Sequence, residues 1–340
     1  MTTSDWIKIA TFITIIIITY FFTFFQSGYQ SSNTNKYPVD YPTITIKPDG
    51  SITLPEVPIL KQQNIYTIQK SFSFNEFYIQ KNNITLDVNN TSLISANEQG
   101  RGGHAPGYFE ITATNTTIKT IAFIPYFNCE LHIVNSFDCT ILDSRFQSTA
   151  IKYSNDIQLK NTTGTIHLID SNNCIIEQSQ LSLTFVNSHQ NKILNNQMSG
   201  GFAVFNFQDS CNNLIFGNNI NCKGQKLISM IGQTNNNIFV ANNFTNYAYF
   251  EPTFDHTGTN TFYHNNFFKA NWLQSDPDFT VSKWDNGLEG NYWSNYLGED
   301  QDNDGIGDTP HLIDVNNKDL YPLINPVNTN QEIQPQLPPN

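Results

Sequence analysis

The nine residues DQDNDGIGD at 300–308 carry the sharpest chemical pattern in this chain of 340 residues. Asp300, Asp302 and Asp304 stand at alternate positions and are followed by Gly305, Ile306 and Asp308. In a tight loop, carboxylates at positions 1, 3 and 5 converge on one point, a glycine at 6 permits the reversal, and the carbonyl of position 7 joins them. Ile306 supplies that carbonyl here, and Asp308 at position 9 acts directly or through water. Oxygen-only donors at this spacing predict a structural calcium ion, since four carboxylates so close repel one another at neutral pH without a cation. Position 12, where an EF-hand carries a bidentate glutamate, is His311, and no helix is predicted on either side. The pattern therefore reads as a structural calcium loop outside the EF-hand class, with Asp314 or Asp319 in reach to complete the shell.

Other residues could serve a ligand. Trp284, Tyr292, Trp293 and Tyr296 flank the loop, with Tyr321 beyond it. Aromatic rings on an exposed module can stack on sugar faces, but beside such a loop the leading expectation is that they roof the open end of the fold. Arg101 and His104 lie in SANEQGRGGHAPGY at 95–108, a glycine-rich insertion expected to project as a loop. An acid–base pair could be drawn from Asp143, Arg145, Asp156 and Asp170, although no two are arranged as a hydrolase pair in adjacent sequence. The five cysteines (Cys129, Cys139, Cys174, Cys211, Cys222) lack C-x-x-C spacing, which argues against zinc and favours inward-facing small hydrophobes, with disulfides between coils allowed. Asn83, Asn89, Asn90, Asn115, Asn161 and Asn243 head N-x-[ST] triplets and are candidate glycosylation sites.

What must position these residues is a repeat. The phrases NKILNNQM (191–198), NLIFGNNI (213–220), NIFVANNF (237–244) and NTFYHNNF (260–267) set apolar anchors at Ile193, Ile215, Phe239 and Phe262, spaced 22, 24 and 23. A fixed period in the twenties means one supersecondary unit stacked on itself. The segments are short, β-branched or aromatic, and broken by Asn, Ser and Gly, so the predicted fold is all-β: a single-stranded right-handed parallel β-helix with coils about 4.8 Å apart. Looser anchors are read upstream at Ile118, Ile141, Ile157 and Ile175. The Asn pairs are expected to turn corners in the left-handed conformation and to bond their amides from coil to coil.

The expected layout is a membrane-anchor helix in 1–27, a linker over 28–43, an entry cap and first coils over 44–117, repeats over 118–270, a closing cap over 271–326 and a disordered tail over 327–340. ITIKPDGSITL at 44–54 reads as a hairpin-like lead-in. Ile9–Phe25 is an uncharged apolar run of 17 residues with no small-x-small cleavage site after it, hence an uncleaved signal anchor with the solenoid outside the cell. A net charge of −12 with only two arginines excludes the basic stripe that nucleic-acid binding needs.

The lead-in ITIKPDGSI with NNITLD, the N-x-[IF] repeats and the closing GNYWSNY…DNDGIGDTP…YPL resemble archaeal surface proteins of the NosD-like β-helix class, within the wider CASH group of carbohydrate-binding and sugar-hydrolysing β-helices. The resemblance covers 44–326, with His311 where the class usually has an aromatic and Asn295 where it usually has Asp. It implies a cell-surface protein that binds glycans or other envelope components without catalysis. A polysaccharide lyase or glycoside hydrolase on the same fold is the alternative. Metal delivery, which the NosD name also carries, ranks third, because copper sites want clustered Met, Cys and His while Met198, Met230 and the seven histidines are scattered.

Overall fold

The computed structural model describes residues 42–89, 92–95, 107–123, 129–199, 203–221, 226–245, 255–256, 258–268 and 281–329. Among them are strands, turns and no helix, and therefore none long and apolar enough to cross a membrane. The predicted anchor at Ile9–Phe25, Arg101, His104 and Asn90 lie outside the described residues.

Two long parallel sheets hold most of the described strands. The narrow sheet stacks Ile65–Ile68, Thr85–Asp87, Thr117–Lys119, Thr140–Leu142, Gln158–Lys160, Ile175–Glu177, Lys192–Leu194, Leu214–Phe216, Ile238–Val240 and Thr261–Tyr263. The broad sheet stacks Thr43–Ile46, Glu76–Ile79, Gly107–Ile111, Cys129–Val134, Arg145–Lys152, Thr163–Ile169 and Gln180–Val186, then divides into two paths through the later coils. Within these two stacks each strand pairs in parallel with its equivalent one coil on, which defines a parallel β-helix. At the entry, Ile46 bridges Ile52 in antiparallel fashion around the left-handed Gly50, closing a hairpin.

Alternation decides the interior. The middle residue of each three-residue narrow strand points inward, so Ile118, Ile141, Leu159, Ile176, Ile193, Ile215, Phe239 and Phe262 form one buried row in register. Two upstream anchors are thereby corrected: Leu159 and Ile176 occupy the row, not Ile157 and Ile175. The coils there are also shorter, with equivalent residues 17 or 18 apart against 22 to 24 downstream. Farther along, rings replace aliphatics and stack at van der Waals distance, with centroids 4.5 Å apart for Phe239–Phe262 and 4.4 Å for Phe185–Phe207. Each such ring removed from water is worth about 2 kcal/mol of burial.

At the corners, neighbouring residues divide the work. The left-handed position flanking each narrow strand falls on Asn195, Gly217, Ala241 and His264, while the next residue (Asn196, Asn218, Asn242, Asn265) is fully buried and carries the ladder. Asn218 is saturated. Its Oδ1 accepts Asn196 N (2.9 Å) and Nδ2 (3.0 Å), and its Nδ2 donates to Ile193 O (3.0 Å) and Asn242 Oδ1 (2.9 Å). A second asparagine ladder runs through Asn191, Asn213, Asn237 and Asn260 on the other side of the strand. In the short coils the same two corners hold Ser144, Thr162 and Ser179, or Cys139, Ile157 and Cys174. A serine row at Ser136, Ser154, Ser171, Ser188 and Ser210 closes a third corner, each hydroxyl accepting the preceding member's N–H at 3.0–3.2 Å.

Candidate functional site

Both asparagine ladders stop at the closing cap, where the chain supplies substitutes for a coil that is not there. Asn317 Oδ1 accepts Ser282 N (2.9 Å) and Trp284 Nε1 (3.1 Å). Two residues on, Asp319 Oδ2 accepts Asn291 N (2.7 Å) and Trp293 Nε1 (2.8 Å). The ladder through Asn265 and Asn291 thus ends on Asp319, in the antiparallel pair His311–Leu312 and Lys318–Asp319, while Asn317 beside it takes up the coil that follows Asn260, and each of the two also holds a tryptophan. Gly290 makes room for this, since a Cβ there would lie 1.8 Å from Asp319 Oδ1. Burial raises the Asp319 carboxyl to about 6 against the pull of its four donors. His311 stacks on Trp293 at 4.6 Å with its Nε2 buried and unpartnered, and burial lowers the imidazole to about 4.

The aromatic candidates resolve accordingly. Trp284 is stacked on Phe262 (4.6 Å) and Trp293 on Phe267 (4.2 Å), and both are buried, so they roof the solenoid and offer no face to a ligand. Tyr292 packs against Phe268, and Tyr296 donates to Thr309 O (2.6 Å) in a slot that side chains at Gly298 and Gly307 would fill.

In the acidic loop, Asp300, Asp302 and Asp304 each offer an oxygen within 4.8 Å of the others. Asn303 and Gly305 take positive φ, and Asp300 accepts Asp304 N (3.2 Å) and Gly305 N (3.0 Å), which curls the backbone round the carboxylates. The donor set is all oxygen and anionic, as a hard divalent cation requires. Asp308 Oδ2 accepts Gln301 N (2.9 Å) and closes the loop from its far side. Asp314 and Asp319 do not join it, because Asp314 caps Asn316 and Asn317 while Asp319 ends the ladder.

A second candidate lies along a corner of the short coils and is a shallow groove of about 490 Å³. One row of its lining is Phe137, Asn155, Asn172 and His189, and the other is Asp156, Asn173, Gln190 and Asn212. Asn155 Oδ1 accepts Asn172 N (3.0 Å), Asn172 Oδ1 accepts His189 N (2.8 Å), and His189 Nδ1 accepts Cys211 N (3.0 Å). Each acceptor thus takes one N–H of the next coil, Asn155 and Asn172 keep Nδ2 donors to offer, and His189 Nε2 lies 3.3 Å from Asn187 Oδ1. Phe137 is 45% exposed at one end. The groove contains a single carboxylate, Asp156. Sequence reasoning missed this set; the signal was Asn155, Asn172 and His189 at steps of 17, hidden because no residue type is shared by all the coils.

The proposed acid–base residues do not converge. Asp143, Asp156 and Asp170 are left-handed corner residues, with Asp143 accepting Asn161 Nδ2 at 2.7 Å and Asp170 accepting Asn187 Nδ2. That bond also occupies the amide a glycan would need at Asn161, as do the bonds from Asn115 to Asn83 and from Asn243 to Thr329. Asn83 and Asn89 are exposed left-handed residues. Cys129, Cys139 and Cys174 are buried thiols and Cys211 is partly exposed, with no disulfide among these four.

No protein-family model and no curated protein matches the chain. Among solved structures it is similar to PfbA, a surface adhesin of Streptococcus pneumoniae, at 13% identity and a TM-score of 0.43 over 65% of this chain and 75% of that one. It is also similar to DFA-IIIase from Arthrobacter chlorophenolicus A6 in complex with GF2 (12%, 0.41, 58% and 57%) and to the periplasmic alginate epimerase AlgG (12%, 0.38, 74% and 72%). At scores this low, none of them bears on what this chain binds.

Proposed function

We propose that this chain is a non-catalytic carbohydrate-binding β-helix protein, held at the outside of a cell membrane by Ile9–Phe25 and pinned at its closing cap by calcium on Asp300, Asp302, Asp304, Ile306 and Asp308. The NosD-like class within the CASH group is the family reading that accompanies it. The groove at the short-coil corner carries the proposal. Its amide donors and exposed Phe137 suit sugar hydroxyls and a sugar C–H face. It runs past five coils, about 19 Å at the strand spacing, which fits an oligosaccharide better than a single sugar. With one carboxylate in its lining, it lacks the pair that glycoside hydrolysis uses.

A glycan array probed with wild type and with Phe137→Ala tests the reading, together with reducing-sugar release on every hit. The variant is expected to lose about tenfold in affinity, as removal of one stacking ring does, with thermal stability unchanged. Release of reducing ends, or binding indifferent to Phe137, would overturn it.

A further inference from the structure

The broad sheet has an outward face that neither the groove nor the cap uses. Strand register puts Glu76, Tyr108 and Glu130 in one row across three neighbouring coils, and Tyr78, Glu110 and His132 in the row beside it. Inward Phe77, Ile79, Phe109, Ile111, Leu131 and Ile133 alternate with them and lock the backbone beneath. The result is a checkerboard in which carboxylates and rings alternate both along each strand and from coil to coil. The Tyr78 and Tyr108 ring centroids are 6.0 Å apart, and Tyr108 and His132 are 4.6 Å apart.

The carboxylates are held. Glu76 accepts Thr43 Oγ1 (3.2 Å), Glu110 accepts the Tyr108 hydroxyl, and Glu130 lies 3.2 Å from His132 Nε2. The Tyr78 hydroxyl also bears on Glu76, whereas the bonds at Glu110 and Glu130 use Oε2 and leave Oε1 of each to face a ligand. The contact with His132 outweighs burial and keeps Glu130 below the usual carboxylate range. Burial, reinforced by the neighbouring glutamates, raises Tyr78 to about 12 and Tyr108 further, so both rings stay uncharged phenols. Lys152 and His167, on the following coils, also bear on Glu130, and burial lowers His167. Three carboxylates set against Lys152 and the His132 imidazole leave negative charge in excess on this face.

We propose that this face binds a primary ammonium group carried on a sugar, that is, a glycan with free amino groups. The proposal rests on the carbohydrate reading above and names a substrate class for a second site. A ring face attracts a cation through its quadrupole, and a carboxylate beside the ring supplies the charged hydrogen bond. Two tyrosine rings on successive coils also offer C–H stacking to successive sugars, which a linear polyamine would leave unused. An acidic glycan meets like charge here and is rejected.

Calorimetric titration of the full chain, in mildly acidic buffer where the sugar amine is protonated, compares β-1,4-linked glucosamine hexamer, its N-acetylated counterpart and spermidine. The free-amine hexamer is expected to bind at least about tenfold more tightly than either of the others. Glu110→Gln and Glu76→Gln, isosteric changes at half-buried positions, should each weaken it several-fold and leave the N-acetylated hexamer unaffected. Equal binding of the two hexamers, equal binding of spermidine, or indifference to both glutamine variants would overturn the assignment. Phe137→Ala separates the two sites. Loss of free-amine binding in that variant alone puts the ligand in the groove and sinks this proposal, whereas a silent Phe137→Ala with responsive glutamine variants upholds it even if the groove reading falls.

Discussion

The short coils and the long coils solve the same corner with different side chains. After each narrow strand, Ser144 in a short coil accepts one N–H (Ile121, 3.2 Å) and donates to one carbonyl (Leu142, 2.7 Å). Asn218, in the equivalent place of a long coil, makes four side-chain bonds spanning three coils. The interior changes with it, from Ile141, Leu159 and Ile176 to Phe239, Phe262 and Trp284. Asparagine supplies a longer reach than serine and a paired donor and acceptor. The short half, with no such ladder, carries the groove, while the laddered half ends in the closing cap.

Replacing a ladder residue should break the comparison most visibly. Asn218→Ala removes the acceptor of Asn196 N and of one Asn196 Nδ2 proton, and the side-chain donor to the Ile193 carbonyl and to Asn242 Oδ1, inside the core, a loss of about 4 kcal/mol by urea unfolding. Ser144→Ala orphans one N–H and should cost about 1 kcal/mol. Equal losses would mean that the two corners are energetically the same.

Next in size is the pH response of the ladder terminus. Asp319 has its folded pKa raised to about 6, above an unfolded carboxylate, so the folded state binds the extra proton and stability from this group rises as pH falls from about 6 toward 4. His311 has its folded pKa lowered to about 4, below the ordinary 6.5, so its contribution is lost as pH falls through that window. The two oppose each other. Measured against wild type, His311→Gln should gain about 2 kcal/mol on acidification over this range, and Asp319→Asn should lose a similar amount. Two variants with parallel pH profiles would show that the cap does not titrate through these residues.

Calcium comes after the ladder and the pH response. At ten times its Kd the ion should add about 1.4 kcal/mol, seen as a Tm that rises with calcium and falls with chelator. Asp302→Ala/Asp304→Ala should abolish both that response and one calorimetric site. A calcium-independent Tm in wild type would remove the ion from the cap.

The long coils were legible because one residue type marks each position, with Asn at both corners and a large apolar residue between them. Upstream, the expected anchors lie two residues off at Ile157 and one off at Ile175, for a physical reason. The corner positions there hold Ser, Thr, Cys and Ile, and Ile157 itself occupies the corner that Asn191 fills later, so an apolar corner passed for an anchor. The acidic loop was legible because its carboxylates are nearly consecutive. Asp319, expected as a further ligand for that loop, is the end of a ladder, since nothing near it in sequence shows that Asn291 and Trp293 lie against it.

By itself, the sequence determined what depends on neighbours along the chain: the period, the alternation of inward and outward side chains, the left-handed corners and the carboxylates of one tight turn. The tertiary structure alone decided what depends on stacking. Tyr78 meets Tyr108, Asn155 meets Asn172 and Asn291 meets Asp319 only because successive coils superpose, and each pair is separated by a stretch of chain whose length no local rule sets. A solenoid writes its scaffold locally and assembles its surfaces across coils, so the ladder can be read in the letters and the faces that would hold a ligand cannot.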